Sequence, residues 1–456
     1  MEERLFKRKI YAQLLNWKQE SDGKSALLVE GARRVGKSTI VETFAKNEYE
    51  SYLLIDFNKA SKAIKDLFND LMDLDYLFLY LQTAYHVTLK PRKSVIIFDE
   101  VQKCPLARQA IKYLVEDGRY DYIETGSLIS IKKKGGGRRL SISGGYPDGI
   151  TIPSEEDRIQ MNPMDFEEFR WALGDEATVP LLRKFWEQQH ALGPAHREMA
   201  RNLRLYMLVG GMPQAVNAYL DTNNFSKVDQ VKRRILKLYE DDFLKIDPSG
   251  RASVMFRSIP GQLSRNAIRY VPYAAVGKVD EEKMTELLKD LEDSKTVNMC
   301  YHVNDPQAGM GLTKNKDQFK MFVCDTGLFI TQAFWDKSFT ENIIYEKLLA
   351  DKLPANLGYV YENLVAQMLV AAGNELFYHT WPRDEKHYYE TDFLLSRGAK
   401  ICPVEVKSSS SKSHASLDEF CRIYSSRILW RYMVYTKDFA KDQETIMLPA
   451  YMVPFL

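Results

Sequence analysis

Residues 24–39 read Lys-Ser-Ala-Leu-Leu-Val-Glu, then Gly-Ala-Arg-Arg-Val-Gly-Lys-Ser-Thr. Lys24 to Glu30 hold a short apolar run suited to a buried strand. Gly31 to Ser38 then fit the spacing Gly-x-x-x-x-Gly-Lys-Ser/Thr, and Thr39 to Lys46 continue with helix-compatible residues. The order follows from physics. A strand delivers the chain to a loop whose glycines let backbone N–H groups turn inward around phosphates. The next helix then aims its positive N-terminus at them. Gly31, Ala32, Arg33, Arg34, Val35, Gly36, Lys37, Ser38 and Thr39 are thus the expected nucleotide-binding residues. Lys37 would reach the β- and γ-phosphates, and the Ser38 hydroxyl would ligate Mg²⁺.

Lys93 to Glu100 read as a continuous apolar strand, Val95 to Phe98, ending in two carboxylates. A buried parallel strand has this pattern, and ligand groups sit at the carboxyl ends of such strands. Asp99 is therefore expected to hold Mg²⁺, directly or through water, and Glu100 to polarise the attacking water. Tyr52 to Phe57 and Tyr120 to Ser127 are two more strand candidates. The second ends in Thr125-Gly126-Ser127, whose hydroxyls suit either the γ-phosphate or an ordinary cap or turn.

The chain has 456 residues with a formal net charge of +1, enough for about three domains. An apolar fraction of 45% excludes disorder as the main state. Near-neutral charge excludes a whole-molecule polycation but not a local basic groove. No apolar run approaches a membrane span, and the charged start Met1 to Ile10 has no signal-peptide stretch. Cys104, Cys300, Cys324, Cys402 and Cys421 are scattered, without a Cys-x-x-Cys pair, which points to reduced thiols and a cytoplasmic location.

The phosphate loop, the strand ending Asp99-Glu100 and the strand ending Thr125-Gly126-Ser127 together resemble the AAA-like ATPases of bacteria and archaea. The resemblance is to the group whose C-terminal half is poorly characterised. Asn162 to Phe169, Gly210-Gly211-Met212-Pro213 and Phe322 to Leu328 also fit that group. The resemblance implies ATP and Mg²⁺ chemistry at Lys37, Ser38, Asp99 and Glu100, with Ser127 at the sensor position. It also implies an arginine finger, for which Arg138, Arg139 and Arg158 are the candidates. The basic, glycine-rich run Ile131 to Arg139 departs from the ordered stretch expected there.

Asp165 to Leu173, Leu181 to Val209 and Ser226 to Leu244 read as helices, broken at Gly193-Pro194 and Gly210-Gly211. The glycine pair reads either as a helix–helix turn or as a fixed loop. Arg257 to Val303 has the pattern of a winged helix, or of a plain structural subdomain. Asp280 to Asp293 carries five more acids than bases, the wrong sign for a helix facing phosphates. If this is a winged helix, it packs on protein or uses a wing near Lys314–Lys320.

Gly358 to Gly373 has an apolar helical stripe with Glu362 at its edge. Tyr388 to Leu395 and Ile401 to Lys407 read as neighbouring strands. Glu405 and Lys407, two apart, share one strand face. Asp392, Glu405 and Lys407, with Glu362 near, carry the residue types of metal-dependent phosphodiester cleavage: carboxylates hold divalent ions and the lysine stabilises oxyanion charge. This order resembles the restriction-endonuclease-like PD-(D/E)xK domain, with Thr391 in place of its proline. Two readings stand here: a cleaving site with Glu362, Asp392 and Glu405 as metal ligands, or a non-cleaving domain whose acids form a buried ion-pair cluster or that only grips nucleic acid or another partner. Arg383, Lys386, Arg397, Lys400, Lys412, Arg422, Arg427 and Arg431 suit a phosphate-facing groove or a solvated surface equally.

The expected architecture is α/β, beginning with a P-loop NTPase parallel sheet. It comprises an AAA-like core (1–175), a helical lid (176–255), a winged-helix-like subdomain (256–335) and a PD-(D/E)xK nuclease-like domain (336–456). The expected cofactors are ATP and Mg²⁺. DNA is the candidate macromolecular partner and a homo-oligomer the candidate assembly.

Overall fold

The computed structural model describes residues 4–126, 155–265, 268–336, 346, 349–350, 358–408 and 414–456. Ser127, Arg138, Arg139 and Lys412 lie outside the described residues. The chain divides into two compact units, residues 1–162 with 293–295, and residues 163–292 with 296–456.

The first unit is built on β1 (Ala26–Glu30), β2 (Ser51–Asp56), β3 (Ser94–Asp99), β4 (Asp121–Gly126) and β5 (Glu156–Gln160). Every pairing is parallel and the order is β2-β3-β4-β1-β5. All residues of β1, β3 and β4 are buried, as expected of central strands covered by helices on both faces. The register sets Val29 beside Thr125 and Phe98 beside Glu124, so Glu30, Asp99 and Thr125 finish at one edge. Phe57, Phe68 and Phe98 pack at ring-centroid separations of 5.5–5.8 Å beneath that edge.

The edge strand β5 has no counterpart among the expected strands. Its sequence, Glu-Asp-Arg-Ile-Gln, is polar and none of its residues is fully buried. Backbone pairing to β1, with Arg108 bound to the Glu156 carboxylate (2.9 Å), makes it a strand, so no apolar periodicity announces it.

The second unit begins with helices at Phe166–Ala172, Thr178–Gln188, His196–Val209, Pro213–Thr222 and Phe225–Ile246. The first has a complete capping box between Asp165 and Glu168. Helices Arg251–Leu263, Pro272–Val276 and Glu281–Asp293 lead into β6 (Val297–Val303) and β7 (Lys314–Val323). The acidic helix Glu281–Asp293 buries Met284, Leu287 and Leu291, and the carboxylate-bearing Asp290 with them. After helices Thr326–Ala333 and Gly358–Ala371 come β8 (Leu376–Pro382), β9 (Tyr388–Arg397), β10 (Lys400–Val406), β11 (Arg431–Tyr435), β12 (Ala440–Asp442) and β13 (Thr445–Pro449). These strands form one mixed sheet, ordered β12-β13-β11-β10-β9-β8-β6-β7. The β6–β7 hairpin, where a wing was expected, pairs through β6 with β8 and extends this sheet.

Three separated sequence stretches meet inside the second unit. Gly211 accepts a hydrogen bond from Met164 N (2.8 Å), and its own N–H donates to Asp325 Oδ2 (2.5 Å). Asp325 Oδ1 caps the helix at Leu328 N (2.8 Å). Lys232 Nζ donates to Leu208 O (2.6 Å) and Gly327 O (3.1 Å). Gly210 has φ 83°, and a Cβ on Gly211 would lie 2.0 Å from Met164 O. Gly210-Gly211 is thus both a helix–helix turn and a fixed loop.

Candidate functional site

The loop after β1 is shaped by its backbone. Gly31, Arg34 and Gly36 have φ of 155°, 72° and 100°, and the helix Lys37–Glu48 starts directly after Gly36. A Cβ on Gly31 would stand 2.3 Å from Met161 O, so only glycine fits between β1 and the end of β5. Arg8 braces the loop, donating to Val35 O (2.8 Å) and Asn162 O (2.7 Å). Lys37 Nζ donates to Gly31 O (2.8 Å) and Ala32 O (3.0 Å). Burial pulls Lys37 down to about 8, against the opposing pull of Glu100 and Asp99.

Ser38 Oγ donates to Asp99 Oδ1 at 2.7 Å. Thr125 Oγ1 donates to the same carboxylate oxygen, and lies 3.5 Å from the Glu100 N–H. Glu100 sits in left-handed backbone geometry (φ 54°), and its carboxylate accepts from Gln102 Nε2. A part-buried hydroxyl–carboxylate pair beside a lysine-bearing loop fits a Mg²⁺–nucleotide. The donors are hard oxygens, and Lys37 donates to two loop carbonyls.

A second group of charges lies in the sheet of the other unit. Lys407 Nζ pairs with Glu405 Oε1 at 2.5 Å. Asp392 Oδ2 accepts from Val406 N at 2.7 Å. Lys320, 5% exposed, pairs with Glu390 and lies 3.5 Å from Glu362 Oε2. Burial, then Asp392, pushes Glu405 up to about 7; burial also lifts Glu390 to about 7 and raises Glu362. Burial would lower Lys320, but Glu390, Glu362 and Asp392 outweigh it and hold it above its ordinary value. Among the described residues no three His, Cys, Asp or Glu side chains are arranged to hold a metal ion.

Residues 23–170 match the family model of an AAA domain. These residues are an AAA-like P-loop ATPase domain. The match implies nucleotide binding and, as is usual for such domains, use of Mg²⁺. Two domains of unknown function match further on: DUF8612 over 200–338 and DUF4143 over 357–452. No curated protein matches the chain. Among solved structures, a Walker-type ATPase of Pyrococcus abyssi is similar at 17% identity, over 73% of this chain and 97% of that one, TM-score 0.42. The RuvB Holliday junction branch migration motor of Thermotoga maritima is similar at 12% identity, over 64% and 89%, TM-score 0.29.

Within the AAA domain the expected residues Lys37, Ser38, Asp99 and Glu100 come together. Thr125, whose role was open, joins them at Asp99. Arg158 does not stand free as a finger: it pairs with Glu156 (2.8 Å) and lies 3.7 Å from Glu30. In the second unit Glu362, Asp392, Glu405 and Lys407 are neighbours. Several of the bases proposed for a groove are tied within the chain: Arg422 to Glu419, Arg427 to Asp305, Arg431 to Asp418, and Arg397 to Leu456 O. Local spacing gives no sign of Arg8, or of Lys320 at this cluster, and does not single out Glu390. The alternation of Glu390 with Asp392 along one strand was the one available signal.

Proposed function

We propose that the chain is a Mg²⁺-dependent ATPase whose nucleotide state controls a non-cleaving, nuclease-like C-terminal domain. The observation that carries the ATPase part is the Ser38–Asp99 pair at 2.7 Å beside Lys37. Lys37 holds two loop carbonyls and would exchange them for nucleotide phosphates, which restore the charge that burial disfavours. Ser38 and Asp99 would hold Mg²⁺, which neutralises phosphate charge when bound. Thr125 fixes the Asp99 carboxylate. Glu100, held by Gln102, orients and deprotonates water at the γ-phosphate, as a general base does.

Lys37→Ala is expected to abolish ATP binding, and Glu100→Gln to keep binding but lose turnover. Unchanged hydrolysis in both would sink the assignment.

What supports a non-cleaving C-terminal domain is that the acids pair with Lys320 and Lys407. The second reading is metal-dependent cleavage of DNA by Asp392, Glu405 and Lys407 with Glu362. In its favour is the adjacency of those residues across the antiparallel β9–β10 pair. A plasmid-nicking assay with Mg²⁺ or Mn²⁺ decides. Nicking that disappears in Asp392→Ala and Glu405→Ala establishes cleavage, and no nicking in any nucleotide state supports the switch.

A further inference from the structure

Lys320 reaches the carboxylate cluster from an unexpected direction. It stands on β7, at the edge of the sheet, with β6 and β8 between it and β9. Its side chain passes the ring of Tyr378, 5.6 Å from Nζ, and ends between Glu390 and Glu362. It is buried, and buried ammonium groups persist only when paired. Lys407 meets one oxygen of Glu405, while Glu405 Oε2 is buried and has no hydrogen-bond partner among the described residues. The cluster thus holds four carboxylates, Glu362, Glu390, Asp392 and Glu405, against two ammonium groups, with one carboxylate oxygen unmet.

A divalent ion shared by Glu362 and Glu390 and the Lys320 ammonium compete for the same oxygens. The lysine has the advantage of being covalently attached, so its effective concentration at the site exceeds that of a free ion. Glu362, Glu390 and Glu405 turn toward two lysines while Asp392 accepts from Val406 N, and among the described residues no three acids are arranged to hold a metal ion.

We propose that Lys320 is a tethered cation that keeps Mg²⁺ and Mn²⁺ out of the carboxylate cluster, and that the cluster without this ammonium is a divalent-cation site. This rests on the non-cleaving reading of the C-terminal domain and names what enforces it. The β6–β7 hairpin thereby controls whether the cluster takes a metal.

The test is Mn²⁺ titration of the full chain, nucleotide-free, followed by calorimetry and by melting temperature. Every arm carries Ser38→Ala and Asp99→Asn to remove the other divalent ligand set. With Lys320 intact, no Mn²⁺ binds up to millimolar concentration and the melting temperature does not respond. Lys320→Met binds one Mn²⁺ per chain and its melting temperature rises with the ion; adding Asp392→Asn and Glu390→Gln abolishes both effects. Lys320→Gln, which keeps a hydrogen-bond donor to Glu390, serves with the same expectations if the methionine variant fails to fold. Two results overturn the proposal: Mn²⁺ binding by the Lys320-intact chain that Asp392→Asn removes, or a folded lysine variant that binds none. Neither readout depends on ATP turnover, so failure of the ATPase reading is seen separately.

Discussion

At the scale of single residues, charge and hydrogen bonding at Asp99 dominate. Two hydroxyls, from Ser38 and Thr125, converge on one oxygen of that carboxylate. Thr125→Val keeps the shape and removes one donor. A hydrogen bond to a charged group contributes about 1.5–3 kcal/mol, so turnover is expected to fall by roughly 10- to 150-fold with ATP affinity little changed. Steady-state hydrolysis at saturating ATP measures it, and an unaltered rate would remove Thr125 from the site. Lys232 offers a second residue-scale prediction. Burial pulls it down to about 8 from an ordinary 10.5. Between those values the unfolded chain binds the proton and the folded chain does not, so this group makes stability rise with pH from about 8 to 10.5. Lys232→Met should therefore lose ground to the native chain as pH climbs through that window, on top of about 1–3 kcal/mol from carbonyls left unpaired. Urea unfolding at pH 7.5 and pH 10 gives the comparison, and a pH-independent difference contradicts it.

At the scale of elements, strands with continuous apolar runs were legible and the polar one was not. β1, β3 and β4 are wholly buried, so burial wrote itself into their composition. β5 is held by pairing to β1 and by the Arg108–Glu156 ion pair, and neither leaves an apolar pattern in the sequence. The loop at Gly210-Gly211 shows the same division. Its sequence marks a break between helices, while the need for glycine comes from contact with Met164 and Asp325. Gly211→Ala sets a Cβ 2.0 Å from a backbone oxygen that has nowhere to move, and should cost more than about 3 kcal/mol, beyond ordinary overpacking. Gly118→Ala is the control. It has positive φ (71°), which Gly211 does not, and nothing within 4 Å of its Cβ, so only the backbone cost of about 1–2 kcal/mol applies. Equal losses for the two variants would mean that packing at Gly211 is not the cause.

At the scale of the whole molecule, ligand binding should stabilise the unit that holds the loop. ATP with Mg²⁺ at about 100 times its Kd adds about 2.7 kcal/mol to the unit's unfolding free energy. Hydrogen exchange at β1, β3 and β4 amides, which open only with the core, should slow accordingly. Lys37→Ala should cancel the effect, and persistence of protection in that variant would place the nucleotide elsewhere. No helix among the described residues is long and apolar enough to cross a membrane.

The sequence by itself determined the phosphate loop, the acidic end of β3 and the helix–strand–strand order that carries Glu362, Asp392, Glu405 and Lys407. Each is written in contiguous residues, where spacing and apolar periodicity act directly. Only the tertiary structure decided that Thr125 serves Asp99, that Arg8 braces the loop, and that Lys320 sits among the acids of the second unit. Those partners come from elements 26 to 70 residues apart in sequence. Proximity at that range is set by sheet order and register, and neither is encoded in any local window of the chain.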